Sequence, residues 1–343
     1  MGAEESIQLA AEIRQAPEAV RRQETALAQP LNELVERLKA KPPQVVVTCA
    51  RGSSAHAAAF AKHALERHLG IPVAAAAPSI ATVYHRDLKL KDQLFLAVSQ
   101  SGASFDLIEQ TKSAKRAGAC TVALVNVTDS ALAQASDIVL PICAGPERSV
   151  AATKTFIATL AAILRLTAAW GEVTNLAAAI LHLPDRLAAA ALLDWNGWCG
   201  TVAHASNLMT IGRGPTLAIA REAALKLKET CNLHAEGYSG AEFRHGPITL
   251  VAPNYPILMF MPGDAAADAL VALAADLKRQ HAAVFTVEPG AGEGRLPALP
   301  PEQPEADAIC AIQSFYAALP QLAKLRGIDA DRPRHLEKVT RTR

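Results

Sequence analysis

The stretch Val45–Ala59, VVVTCARGSSAHAAA, decides the fold. Val45–Cys49 is a short β-branched apolar run with the length and character of a strand covered on both faces. Arg51-Gly52-Ser53-Ser54 ends it, and an Ala-rich helix follows up to Leu69-Gly70. Strand, tight turn and helix make the repeating half of a parallel α/β sheet. The pattern returns further along. A strand ends at Ser99, Gln100-Ser101-Gly102 forms the turn, and a helix runs on to Gly118. A strand over Thr121–Val127, a short helix over Ser130–Ala135 and a strand over Asp137–Pro141 come next, and the long helix Ala151–Trp170 closes the half. Upstream, residues 5–40 read as two amphipathic helices with a polar outer face of Glu12, Arg14, Glu18, Arg21, Arg22, Glu33, Glu36 and Arg37; Pro42 and Pro43 break that pattern.

The second half follows the same scheme. Leu208–Ile211 is a strand ending at Arg213-Gly214, followed by the helix Thr216–Thr230. Ile257–Met261 is a strand with a helix from Ala265, and Val284–Val287 is a third strand. Gly290–Glu305, rich in Pro and Gly, predicts an exposed loop, and Ala306–Leu325 a helix before a charged tail. ARGSSAHAAA (Ala50–Ala59) aligns with GRGPTLAIAR (Gly212–Arg221), Arg213 standing 162 residues after Arg51. The same spacing sets Ser99-Gln100-Ser101-Gly102 opposite Met261-Pro262-Gly263-Asp264. Two landmarks at one spacing point to duplication of one α/β unit.

The chain has 343 residues, enough for two domains, and half of them are apolar. Lys plus Arg number 34 and Asp plus Glu 33, so no charge excess favours a nucleic acid or an anionic membrane. Any bound anion must be caught locally, by a loop or a helix end. The six cysteines, Cys49, Cys120, Cys143, Cys199, Cys231 and Cys310, form no CxxC pair, and several sit in apolar runs. They read as reduced thiols rather than a disulfide framework. The N-terminal MGAEESIQLAAEIRQ carries acids and lacks the apolar core of a secretory signal, and no apolar stretch is long enough to span a bilayer. A cytoplasmic protein is expected.

Chemistry concentrates in a few places. Gly52-Ser53-Ser54 and Ser99-Gln100-Ser101-Gly102, with Ser104 just beyond, lie at strand C-termini, where α/β sheets bind ligands. Each turn leads into a helix N-terminus, whose free N–H groups and dipole favour an anion. Helix capping alone is the plainer reading of one such serine; two such turns suit a sugar phosphate. The GxxxxGK[ST] pattern of nucleotide triphosphate sites is absent. Met261-Pro262-Gly263 has lost the hydroxyls, so one phosphate site per chain is expected. The segment Arg221–Gly246 holds Lys226, Lys228, Glu229, His234, Glu236, Glu242 and His245. Glu222 and Lys226, at i,i+4, read as a surface pair. Glu229 stands at a helix end, where the dipole disfavours a carboxylate. No HExxH or similar metal signature appears, and no metal or organic cofactor is expected.

These motifs, in this order, resemble the isomerase domain of glucosamine-6-phosphate synthase, a member of the SIS (sugar isomerase) family. The resemblance rests on Gly52-Ser53-Ser54, Ser99–Gly102, Ala152-Thr153-Lys154-Thr155-Phe156, Ile211–Gly214 with Ala224–Glu229, His234–Glu236, Glu242-Phe243-Arg244-His245-Gly246-Pro247 and Asp331–Lys338. It covers nearly the whole chain. It implies an α/β fold of two tandem flavodoxin-like SIS subdomains, their parallel sheets flanked by helices. The expected division is a helical prelude over 1–42, a first SIS domain over 43–172, a second over 195–325, and an active-site tail over 326–343. By resemblance, Ser53, Ser54, Ser99, Gln100, Ser101 and Ser104 would hold the phosphate, with Lys226 and the backbone near Val150 completing the pocket. Glu229 would move a proton between C1 and C2, His245 would open the sugar ring from a neighbouring subunit, and Lys338 would close the site. A homodimer follows. Ser104 stands where the family has Thr, Ala103 where it has an acid, and Ala152 where it has Ser; these departures bear on which sugar is bound.

The synthase also carries a glutaminase domain, whereas this sequence begins Met1-Gly2-Ala3 and enters the sugar-isomerase region after a short helical prelude. The expected reaction is therefore the conversion of glucosamine 6-phosphate to fructose 6-phosphate and ammonia. The alternatives are isomerisation or deamination of another sugar phosphate, or a non-catalytic sugar-phosphate sensor. The sensor would have no reason to keep Glu229, His245 and Lys338 together.

Overall fold

In a computed structural model, residues 7–336 and residue 338 are described. In chain order the elements are α1 (Ile7–Arg14), α2 (Ala16–Ala26), α3 (Ala28–Ala40), β1 (Val46–Ala50), α4 (Gly52–Leu69), β2 (Val73–Ala75), α5 (Ser79–Thr82), β3 (Leu94–Ser99), α6 (Phe105–Arg116), β4 (Cys120–Val125), α7 (Ala131–Ala135), β5 (Ile138–Pro141) and α8 (Lys154–Gly171). There follow α9 (Thr174–Ala190), α10 (Asn196–Val202), β6 (Asn207–Gly212), α11 (Thr216–Cys231), β7 (His234–Ser239), α12 (Gly240–Arg244), β8 (Pro256–Phe260), α13 (Ala267–Arg279), β9 (Ala283–Val287), β10 (Arg295–Leu296) and α14 (Pro304–Leu325). The chain divides into two compact units. Among the described residues, one holds 18–147, 154–180, 336 and 338; the other holds 7–17, 148–153 and 181–335.

Each unit is built on a five-stranded sheet, ordered β2-β1-β3-β4-β5 in one and β7-β6-β8-β9-β10 in the other. Every strand pairing is parallel. This is the flavodoxin-like doubly wound order, with its reversal beside the first strand of each sheet. The spacing of 162 residues between Arg51 and Arg213 holds well beyond the two sequence landmarks: it carries β1 onto β6, β3 onto β8, α6 onto α13 and β4 onto β9 to within a residue or two.

The strands form because their runs are apolar and β-branched, and all six residues of β3 are buried. Val47, Phe95, Ala97, Leu107, Ala123 and Leu132 pack together in the first unit. Met209, Ile257, Met259, Leu270, Leu273 and Leu277 do so in the second, where Trp195, Trp198, Phe260 and Phe315 add edge-on and tilted ring contacts. Among the described residues no helix is long and apolar enough to cross a membrane.

The structure departs locally from the sequence pattern. The prelude forms three helices, because the chain turns again near Leu27. The strand β7 occupies the charged segment at His234, where alternation of polar and small residues masked it. The last helix begins at Pro304 rather than Ala306, since Gln303 caps it through Ala306 N. The long helix of the first half starts at Lys154 rather than Ala151.

The cysteines are all free, with Cys49, Cys199, Cys231 and Cys310 buried and Cys120 and Cys143 half-buried. Burial pushes the thiols of Cys49, Cys199 and Cys310 up to about 12 and that of Cys231 to about 11. Ellman's reagent at pH 8 should therefore consume at most two of the six thiols in the native protein, and all six after unfolding in guanidinium.

Candidate active site

The two serine turns lie in the first unit, at the C-terminal ends of the neighbouring strands β1 and β3. Gly52 opens α4 at a φ of +53°, a left-handed conformation that favours glycine. Ser53 and Ser54 follow in the first turn of α4, both half-buried. The residue at the N-cap of α4 is Arg51, and it makes no side-chain cap. Ser104 occupies the N-cap position of α6, yet its hydroxyl makes no capping bond. By contrast, Ser130 and Ser239 do cap, accepting from Ala133 N at 3.4 Å and Glu242 N at 3.1 Å. The capping explanation therefore fails for Ser53, Ser54 and Ser104, although it holds for serines elsewhere in the chain.

The turn Ser99–Gly102 is shaped from within. Ser99 Oγ accepts Gly102 N–H at 3.1 Å, and Ser101 Oγ accepts Ala103 N–H at 3.3 Å. Gln100 O accepts Asn126 N–H at 3.2 Å, and Gly102 O accepts Leu132 N–H at 3.0 Å, which ties the turn to β4 and α7. Gly102 has a φ of +60°, and a Cβ there would lie 2.0 Å from Ser130 Oγ. Arg51 and Asp106 join the two turns: Arg51 Nε and Nη2 donate to one Asp106 oxygen at 2.9 Å and 2.7 Å.

The second unit carries the carboxylates. Along α11, Glu222 and Lys226 are 0% and 1% exposed, so the expected surface pair is a buried one. Lys226 Nζ lies 3.5 Å from Glu222 Oε1 and forms a short contact with Glu229 Oε2. Tyr316 of α14 donates to Glu222 Oε1 at 3.0 Å. Glu229, in the last turn, keeps a fifth of its side chain exposed. Lys226 thus holds one wholly buried and one partly accessible carboxylate. The helical stripe Ile219, Glu222, Ala223 and Lys226 carried this signal, since polar residues on a buried stripe need one another.

His245 is exposed at the end of α12, and its backbone N–H donates to Glu242 O at 3.0 Å. His234 and Glu236 are exposed on the edge strand β7, where Tyr238 donates to Glu236, and that bond raises the phenol's pKa. Among the described residues no group of three or more His, Cys, Asp or Glu side chains could hold a metal ion.

Val150, half-buried, lies in the short segment 148–153. Glu12 organises that segment. It was read as part of a polar outer face, but it is 4% exposed, and its carboxylate accepts Arg148 N–H at 2.6 Å and Ser149 N–H at 3.1 Å. Leu9, Glu12, Ile13 and Ala16 share one stripe of helical phase, the pattern that marks Glu12 as inward-facing. Asp331, within the tail motif, caps the start of α1 by accepting the N–H groups of Gln8 at 3.1 Å and Leu9 at 2.8 Å. In the first unit Lys338 Nζ lies 3.7 Å from Oε2 of Glu147, whose side chain is fully buried, and Glu147 Oε1 also accepts Thr155 N–H at 3.4 Å. Residues 337 and 339–343 of the tail, and residues 1–6 of the prelude, lie outside the described residues.

The sequence pattern of the SIS domain matches residues 40–169 and 201–287. The chain belongs to the SIS domain family. A glutamine–fructose-6-phosphate aminotransferase of Gluconobacter oxydans is 32% identical over 320 residues, which cover 87% of this chain and 52% of that protein. The SIS chain thus spans about half the length of this curated relative. Among solved structures, a Silicibacter pomeroyi protein described as a candidate phosphosugar isomerase is 42% identical, with a TM-score of 0.90 over 94% of this chain and 99% of that one. The fold is shared with a glucosamine-6-phosphate deaminase of Thermotoga maritima, 22% identical, with a TM-score of 0.73 over 96% and 100% of the two chains.

Two substitutions test the geometry. Lys226→Met leaves Glu222 and Glu229 without their shared cation and should lower the unfolding free energy in urea by about 3–5 kcal/mol, with Glu222→Gln in the same chain restoring part of it. Gly102→Ala drives a methyl into Ser130 and forces a left-handed φ on alanine, so the same measurement should register a loss of about 1–3 kcal/mol.

Proposed function

We propose that this chain is a phosphosugar aldose–ketose enzyme that converts glucosamine 6-phosphate to fructose 6-phosphate and ammonia. The observation that carries the proposal is that Ser53, Ser54 and Ser104 sit at helix N-termini without capping them. Hydroxyls so placed, at the positive dipole ends of α4 and α6, suit a phosphate dianion. Ser99, Gln100 and Ser101 complete this grip. The relatives support the sugar: the Gluconobacter protein is named for fructose 6-phosphate, and the Thermotoga protein for glucosamine 6-phosphate.

The chemistry then needs few parts. His245, exposed and free to act in a neighbouring subunit of a homodimer, assists ring opening. Glu229 carries the proton between C2 and C1, and the contact with Lys226 keeps it aimed. The positive charge of Lys226 also favours the enolamine that forms as the C2 proton leaves. Addition of water at C2 and loss of ammonia give the ketose. Lys338, docked on Glu147, closes the site, and the backbone at Val150, set by Glu12, faces the sugar. A second reading, another amino-sugar or sugar phosphate with the same chemistry, draws on Ala103 and Ala152, which replace an acid and a serine of the family pattern.

Incubation of the purified chain with glucosamine 6-phosphate should release ammonia and fructose 6-phosphate in equal amounts without added glutamine. Turnover of a different phosphosugar alone would select the second reading, and DNA binding without turnover would select a sensor. Glu229→Gln should lower kcat by about 10²–10⁴-fold while KM changes little, as expected for loss of a general base; full activity in that variant would remove Glu229 from the mechanism.

A further inference from the structure

Arg51 stands at the junction of β1 and α4, immediately before Gly52-Ser53-Ser54. Asp106 lies two residues beyond Ser104, in the first turn of α6. The Asp106 side chain is 4% exposed and that of Arg51 is 53% exposed. A carboxylate this buried needs a counter-charge, and that need alone would account for an arginine. Two features go further.

The first is geometry. Both bonds to Asp106 use the Nε and Nη2 edge of the guanidinium and converge on one oxygen. Arginine presents five N–H donors in a planar fork, so the outer edge remains to donate elsewhere. The contact also fixes that edge beside the start of α4 and the start of α6 at once.

The second is an internal control. The counterparts of Arg51 and Asp106 at the 162-residue spacing are Arg213 and Asp268. There Asp268 is exposed, and among the described residues no bond joins the two. In the same half the counterparts of Ser53, Ser101 and Ser104 are Pro215, Gly263 and Ala266. The counterpart of Ser54, Thr216, has its hydroxyl engaged, donating to Phe260 O at 2.7 Å. The half that keeps open hydroxyls keeps the ion pair, and the half that lost them lost it too. A purely structural salt bridge has no reason to follow the hydroxyls.

Resting on the function proposed above, we infer that Arg51 is a binding residue for the substrate's phosphate: Asp106 clamps its guanidinium between the two serine turns, and the outer edge of the fork donates to the phosphate oxygens. A guanidinium discriminates a phosphate monoester from a neutral sugar more strongly than hydroxyls do. It also gives Asp106 a role as positioning residue for Arg51.

The test uses the full chain, with calorimetric titration of inorganic phosphate and steady-state kinetics on the phosphosugar it turns over. Arg51→Met should raise the Kd for inorganic phosphate and the KM for the phosphosugar by at least about tenfold, with kcat within about threefold of the unsubstituted chain. Asp106→Asn, which keeps the guanidinium but loosens its anchor, should give a smaller rise in both. If Arg51→Met folds poorly because Asp106 is left unpaired, the double variant Arg51→Met with Asp106→Asn removes both charges, and it should show the same tenfold weakening with a normal unfolding midpoint. Phosphate affinity unchanged in either folded variant would overturn the role of Arg51 alone, leaving it a counter-charge. Absence of phosphate binding by the unsubstituted chain would overturn the phosphate site itself and this role with it.

Discussion

Helices that begin where parallel strands end present unpaired N–H groups at the C-terminal end of a sheet, and the rest of this site depends on what the chain does with them. At the starts of α7 and α12 a serine side chain satisfies them, as Ser130 and Ser239 do. At the starts of α4 and α6 it does not, although serines are at hand. Leaving such donors open costs stability unless water or a ligand meets them. Two such ends, at neighbouring strands, are lined by hydroxyls and joined through the Arg51–Asp106 ion pair.

The two units make different use of one plan. Both have the strand order of a doubly wound sheet, and the elements recur at a common spacing. In the first, the turns after β1 and β3 keep glycine and hydroxyls. In the second, the corresponding turns carry proline, and the helix after β6 has taken up a buried Glu222–Lys226–Glu229 line supported by Tyr316. A buried carboxylate and lysine destabilise a helix unless paired. Their retention on α11 is understandable if the accessible end of the line, Glu229, does chemistry.

Much of this was legible in the residues. The strands over Val45–Cys49 and Leu208–Ile211 announced themselves by apolar β-branched runs, and the turns by glycine beside hydroxyls. Capping could not be judged from the sequence, because a serine before a helix looks the same whether or not its hydroxyl turns inward. Charge alone marks Glu12 and Glu222 as surface acids, but helical phase does not: each shares a stripe with buried apolar residues and finds partners distant in sequence. Arg51 is legible only as a landmark of the repeat, because its partner, Asp106, lies in another helix. The strand β7 was hidden by its polar content, since an edge strand need not be apolar on both sides.

Proton exchange at the sugar carbons tests the account most directly. Proton NMR of fructose 6-phosphate in D2O, followed after addition of the protein, should show loss of one C1 proton signal by exchange with solvent, while unphosphorylated fructose at the same concentration remains unchanged. Exchange into fructose at an equal rate, or no exchange into any phosphosugar, would contradict the claim that the open serine turns hold a phosphate for enolisation by Glu229.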